Sequence, residues 1–402
     1  MSEKDDLAKA EIFLRTFCNV KPNRRTGSKG NREAADFFAS TIQSYGYQMD
    51  TTEFESLDYS YGEVTLEHHN RSFEVFISPY SLGYDALAEL VCVSTIQELE
   101  TKDFRDKLLL LSGDICAEQL MPKNFTFYNP DEHQKIIAIL ENNSPVGIIT
   151  ATGKNPELVG ALSPFPLIND GDFDIPSVYC KKSVGETLAD LEGQTLHLLI
   201  DSVRIPTTSH NVVAKLGREG NQKILFTAHL DAYEDSPGAL DNAAGITVLL
   251  LLAEKLANYQ GEHSIEFVAI NGEDHYSAGG EKDYIRRYQS EFPDIKLAVN
   301  IDDIGFKMGN SAYSFYGCDQ ALEAVVDETM RNFNGITRGE QWFNGDHMIF
   351  LQSGVPSIAL TSALITDVMR EFTHTAKDTP ENIDFHKLVE VATALKLLVQ
   401  NL

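Results

Sequence analysis

Histidines and carboxylates fall where strands end in this sequence. The apolar run 224–226 closes on His229-Leu230-Asp231, and Asp241 follows His229 by 12 positions, just ahead of a long apolar segment. Imidazole nitrogen and carboxylate oxygen together suit a zinc ion. Asp231 is placed to accept a hydrogen bond from the ring nitrogen of His229 that faces away from a metal. Two further runs end in the same way: 264–270 leads into Asn271-Gly272-Glu273-Asp274, and 296–301 leads into Asp302-Asp303. One strand end with adjacent acids is ordinary, whereas three within 223–303 point to convergence on one place. Near the C-terminus, Thr373-His374-Thr375-Ala376-Lys377-Asp378 adds a second histidine before a Pro-ended turn. A carboxylate held in common by two ions is a frequent feature of hydrolytic two-metal sites.

The elements that must position these groups are legible in outline. Ile224-Leu225-Phe226 is continuously apolar, as a strand buried on both faces is. Pro237 and Gly238 break the following loop, and 246–253 is apolar almost throughout, which predicts a buried helix. Strand, loop and helix in alternation predict an α/β sheet. In open sheets of that kind, ligands bind at the carboxyl ends of the strands. Ser209–Ala214 reads as another strand, 356–360 as a further one, and 385–399 as a closing amphipathic helix.

On five pieces the chain resembles the zinc aminopeptidases of metallopeptidase family 28, which also holds glutamate carboxypeptidase II and the glutaminyl cyclases. The pieces are HLD at 229–231, GALDNAAG at 238–245, GED at 272–274, NIDDIG at 300–305 and HTAKDT at 374–379. Their order and spacing agree from Ser209 to the end. The resemblance implies a doubly wound mixed sheet, the zinc exopeptidase fold. It implies two Zn2+ per chain, with His229, Asp241, Asp274, Asp302 and His374 as ligands. Asp241 would lie between the ions, with His229 and Asp302 on one and Asp274 and His374 on the other. Glu273 would be the general base, Asp231 would support the site, and the Asp241-Asn242 peptide would be cis. Two departures stand out. Many members have Glu-Glu where this chain has Glu273-Asp274, so the ligand reach is one methylene shorter. Some members carry a tyrosine before the last histidine, which helps stabilise the tetrahedral intermediate, and here that position is Thr373.

The remainder divides by texture. Residues 3–18 and 30–45 read as amphipathic helices joined by Asn23-Arg24-Arg25-Thr26-Gly27-Ser28. The RTGSKGN turn also resembles the family's N-terminal segment, and its expected role is packing. From about 61 to 205 the chain is rich in short β-type runs, with helix-like pieces at 133–142 and 183–191. FRDKLLLLSG, SPVGIIT and DIPSVY resemble the protease-associated domain inserted in some members, where it would wall or lid the cleft. The expected organisation is therefore a catalytic domain of 1–60 and 206–402 with an inserted β-rich domain at 61–205. His68-His69 reads as hairpin surface, because no further ligand follows at useful spacing. Trp342-Phe343-Asn344-Gly345-Asp346-His347 resembles a family segment near the substrate and equally fits a loop packed on the sheet edge.

The sequence has 402 residues, with 33 Lys and Arg against 60 Asp and Glu, a formal charge of −27. That balance argues against nucleic acid or an anionic membrane surface as partner. Its 5 cysteines are scattered, with no CxxC pair, as expected in a reducing compartment. The charged start, MSEKDDLAKAEIF, lacks the apolar core of a signal peptide, and no run is long enough to span a bilayer. The expected setting is cytoplasmic. The expected function is a metal-dependent exopeptidase acting on peptide substrates, most directly an aminopeptidase. Its alternatives are a glutaminyl cyclase, a dipeptide or carboxypeptidase-type hydrolase of the same fold, and a non-catalytic binding protein such as the transferrin receptor. The last predicts lost ligands, and all five ligand positions are filled by competent residues here. The sequence leaves oligomeric state open.

Overall fold

The computed structural model describes residues 3–125, 128–155, 159–217, 220, 222–275, 277 and 279–402. It divides into two compact units, one of Met1–Ser56 with Thr208–Leu402 and one of Leu57–Thr207. The divisions fall inside the long strands Glu53–His68 and Thr195–His210, a few residues from the positions read from texture. Composition changes along a strand only where its surroundings change, so a boundary inside a strand leaves no turn signal.

The first unit is built on an eight-stranded mixed sheet. Its order is Gln48–Asp50, Val212–Leu216, Ser264–Ile270, Lys223–His229, Ile295–Ile301, Ser357–Ser362, Ser311–Tyr316 and Ile336–Arg338. Lys223–His229 pairs in parallel with Ser264–Ile270 on one side and with Ile295–Ile301 on the other, and Ile295–Ile301 pairs in parallel with Ser357–Ser362. The antiparallel members lie outside these four. The chain leaves Lys223–His229 for one neighbour and later returns to the other. This change of direction opens the crevice where α/β folds bind ligands. Parallel pairing also aligns the carboxyl ends, with His229 opposite Ile270.

All seven residues of Lys223–His229 are buried, as a continuous apolar strand requires. Ile224, Phe226 and Ala228 face a core shared with helix Ala244–Leu256, in which 11 of 13 residues are buried. Helices Glu3–Cys18, Lys29–Ser44 and Phe385–Asn401 cover that helix and join the same core. A helix apolar on every side is stable only when enclosed in this way. His229, being odd in the alternation, leaves toward the other face. Helices Gly280–Tyr288 and His347–Gln352 meet through Tyr284 and Phe350, whose ring centroids are 6.2 Å apart.

The second unit has its own sheet. A parallel run of Tyr84–Val93, Leu108–Leu111, Gly147–Thr152 and Ser177–Lys181 is flanked by antiparallel strands. Leu108, Leu110, Ile149 and Val178 fill one core, and Leu109, Leu111, Ile148 and helix residues Ile136, Ile137 and Leu140 fill another. Arg71–Phe73 and Phe76–Ile77 are two separate short strands, which pair with different partners. His68 and His69 stand at the hairpin turn before Arg71, and among the described residues neither belongs to a group that could hold a metal ion. Among the described residues, no helix is long and apolar enough to cross a membrane.

Candidate metal centre

The three aligned strand ends deliver their polar residues to one buried point. His229 is 1% exposed, and Asp241, Asp274 and Asp302 are 5–6% exposed. Nε2 of His229 lies 2.9 Å from Oδ1 of Asp241 and 3.4 Å from Oδ1 of Asp302. Nε2 of His374 lies 3.3 Å from Oδ2 of Asp241 and 2.5 Å from Oδ1 of Asp274. The two oxygens of Asp241 therefore face two histidines, and each histidine has a second acid of its own. One oxygen or nitrogen from each of His229, Asp241 and Asp274 lies within 4.8 Å of the others.

The donor set fits metal ions. Both ring nitrogens of His229 and Oδ2 of Asp274 are buried without a hydrogen-bond partner, although Asp241 approaches His229 closely. Such groups share a target rather than bond one another. Buried carboxylates are stable only when paired or metal-bound, and here Asp231, Asp241, Asp274, Asp302 and Asp303 crowd around His229, His275 and His374. Burial and the charge of Asp274 push Asp241 up from its ordinary value. Burial drives the Glu273 carboxyl well above the usual range, and Asp274, Asp302 and Asp346 add to this against the pull of His229. Burial opposes the charge of His374, yet Asp274 and Asp241 raise it to about 9. A divalent cation would relieve each of these shifts. The nitrogen and oxygen ligands are those that zinc accepts.

The supporting shell is equally explicit. Asp231, fully buried, accepts from the backbone N–H of Gly272 at 2.8 Å and of Asp274 at 3.2 Å, and its Oδ2 lies 3.2 Å from Nδ1 of His275. Its Oδ1 is 3.6 Å from Nδ1 of His229. Burial penalises its charge, but the two histidines outweigh that and hold it below the ordinary carboxylate range. Asp231 thereby ties the end of one strand to the turn after its neighbour. Asp378 does the same for Asp241: its two oxygens accept from Leu240 N at 2.7 Å and Asp241 N at 3.0 Å. Asn242 donates to the carbonyl of Ile301 and accepts from Gly245 N, and the Asp241–Asn242 peptide is cis. A side chain at Gly245 would collide with Asn242 and with the carbonyl of Ile301.

Glu273 sits half-buried in the turn beside Asp274. Thr373 is buried and donates to Oδ1 of Asp303 at 3.1 Å, so its hydroxyl is committed inside the fold. Asp346 is 1% exposed, and burial raises it to about 7. The His347 ring lies tilted against Tyr316 and Trp342, and burial lowers it to about 4, which keeps it neutral. A Cβ at Gly345 would lie 3.3 Å from Oδ2 of Asp302, so this loop runs against the centre.

The turn after the first helix does more than the packing expected of it. The buried Arg24 guanidinium donates to the carbonyls of Phe17, Leu230, Pro237 and Gly238, and Arg25 pairs with Glu234 at 2.7 Å. Asn31 donates to Oδ1 of Asn271 at 2.6 Å. These residues hold the loops on which Asp231, Asp241 and Glu273 are mounted. The Arg-Arg pair in a turn carried no signal of this, because surface arginines look the same in sequence.

Residues 211–399 match the model of Peptidase family M28. An aminopeptidase of Pseudomonas aeruginosa is 25% identical over 369 residues, covering 83% of this chain and 65% of that protein. The chain thus spans just under two thirds of that relative's length. An aminopeptidase from Aneurinibacillus sp. strain AM-1 has a similar structure, with a TM-score of 0.76, 22% identity and coverage of 99% of this chain and 93% of that one. BSAP, a zinc aminopeptidase from Bacillus subtilis, superposes with a TM-score of 0.72 and 20% identity, covering 97% and 94%. Residues 211–399, which carry the buried histidine–carboxylate centre, are thus similar to peptidase family M28.

Proposed function

We propose that this protein is a zinc-dependent aminopeptidase that removes the N-terminal residue of peptides. The observation that carries the reading is Asp241, whose two oxygens face His229 with Asp302 on one side and His374 with Asp274 on the other. Those five residues would hold two zinc ions, which when bound supply Lewis acidity toward the scissile carbonyl and lower the pKa of a water. Glu273, next to a ligand, takes that water's proton and passes it to the leaving amine. Asp231 and Asp378 keep the carboxylates and backbone in place throughout. Carboxylates beside the centre receive the substrate's free α-amino group, which restricts attack to the chain end. Unit 57–207 is read as a protease-associated-like domain with no chemistry of its own. Five unpaired cysteines support a reducing, cytoplasmic setting.

Turnover of a panel of aminoacyl-nitroanilides, beside N-acetylated and C-terminally blocked controls, tests the reading. Cleavage of free-amino substrates with none of the N-acetylated ones is expected. Preferential release of a C-terminal residue, or cyclisation of N-terminal glutamine, would replace it with another activity of the same fold.

A further inference from the structure

The ring of His374 is fixed differently from that of His229. A ligating histidine normally donates its second ring N–H to a carboxylate or carbonyl, which sets the ring plane. For His229 the nearest such group is Asp231, whose Oδ1 stands 3.6 Å from Nδ1, beyond hydrogen-bond distance. The hydrogen bond found for the His374 side chain is at Nε2, toward Asp274. The backbone of His374 is in the left-handed region, with φ 62°. Its side chain is also 21% exposed, the most open of the histidines at the centre. What meets its face is Tyr233: the two rings are nearly parallel, 13° apart, with centroids separated by 4.5 Å. On the same tyrosine, His275 stacks at 6.2 Å and 19°, and His275 is itself tied to Asp231 through Nδ1. The loop carrying Tyr233 is anchored on both sides, by the bonds of Asp231 and by Arg25 on Glu234. Arg24 holds it farther on at the carbonyls of Pro237 and Gly238.

We propose that Tyr233 is a positioning residue for the ion held by His374 and Asp274: its ring face, rather than a hydrogen bond at Nδ1, sets the plane of the His374 imidazole. Stacked aromatic rings resist rotation of either partner, because turning one ring drives its edge into the other. The stack therefore supplies the orientation that a hydrogen bond at the second ring nitrogen would otherwise give. The role rests on the two-metal reading above, and it belongs to the ring, not to the phenol hydroxyl. It also gives the Arg24-Arg25 turn a purpose, since that turn fixes the loop from which the ring projects.

The test is zinc affinity of the full chain, measured by competition with a chromophoric chelator, with cobalt substituted for zinc to read ligand geometry from its visible spectrum. The variants are Tyr233→Phe, Tyr233→Leu and His374→Ala. The parent should bind two ions. Tyr233→Phe should keep both affinities within about twofold and leave the cobalt spectrum unchanged. Tyr233→Leu should weaken one ion by about 10- to 100-fold, the loss typical of removing a ligand's orienting partner. That ion should be the one lost in His374→Ala, with the other ion unaffected. Should Tyr233→Leu not fold, Tyr233→Gln makes the same comparison at this half-buried position. A Leu or Gln variant that binds both ions like the parent overturns the role of the stack. So does a Phe variant as weak as Leu, which would assign the effect to the hydroxyl. A parent that binds a single ion when saturated overturns the two-metal reading and this inference with it.

Discussion

Glu273 and Asp274 are neighbours in sequence to which the proposed mechanism gives different duties. Asp274 is buried, pressed on His374, and its backbone N–H is fixed by Asp231, whereas Glu273 is half-buried. In Glu273→Gln, size and hydrogen bonding survive but the basic oxygen is gone. Its kcat on a good aminoacyl substrate should fall by about 10²- to 10⁴-fold, or roughly 3 to 5 kcal/mol of barrier, with both ions retained. Asp274→Asn should instead leak metal from one site and recover part of its rate in excess zinc. Kinetics paired with metal analysis separate the two, and a Glu273→Gln protein with near-parental kcat and full metal would remove Glu273 from the mechanism.

At the scale of elements, the centre depends on loops that have little structure of their own. Arg24 collects four carbonyls from the end of the first helix, the strand end and the loop before Asp241. Gly238, at φ 61°, lets that loop turn tightly beneath the guanidinium. Hydrogen bonds to a charged donor are worth about 1.5 to 3 kcal/mol each and are not additive. Arg24→Met should therefore cost about 3 to 5 kcal/mol in urea unfolding, the range for breaking a buried charged contact. Arg24→Lys should recover little, because an ammonium cannot reproduce a planar fork aimed at several carbonyls. Near-parental stability in Arg24→Lys would show that charge alone, and not geometry, holds the loop.

For the whole molecule, the concentration of buried acids links stability to pH. Burial raises Asp346 and Asp378 to about 7, and His374 is raised to about 9 by Asp274 and Asp241 against its burial. All three bind protons more tightly folded than unfolded, so their contribution is present at low pH and lost as pH rises through those values. His347, lowered to about 4, has the opposite sign, but its effect is confined below its ordinary value near 6.5. Chain stripped of metal should thus melt at lower temperature at pH 9 than at pH 6.5, by up to about 1.4 kcal/mol per group and pH unit. Zinc-loaded chain should lose less, because metal competes with protons for these ligands and binds better as pH rises. Thermal midpoints of both forms at the two pH values check this. Equal pH dependence with and without zinc would mean that the acids of the centre do not take part.

The sequence by itself determined the chemistry of the centre and the elements that end at it. Apolar runs closing on His229, Glu273-Asp274 and Asp302-Asp303 are local patterns, and the motifs around Asp241 and His374 are local too, so a linear reading reaches them. The continuous apolar stretch before Leu256 likewise announces a helix that must be enclosed. Tertiary structure decided what depends on residues far apart in the chain. Which histidine shares which acid follows from parallel pairing and from the path of the loop through Asp241, and before folding only family likeness spoke to it. The strands Ser311–Tyr316 and Ile336–Arg338 extend the sheet, and the three-residue edge strand Ile336–Arg338 leaves only a weak pattern. The turn at Arg24 became a clamp because a long cation can be buried only where enough carbonyls converge, and such convergence exists only once helix, strand and loop have met. Tyr233 became a wall for His374 for the same reason: a ring face has no partner until the fold supplies one, 141 positions away.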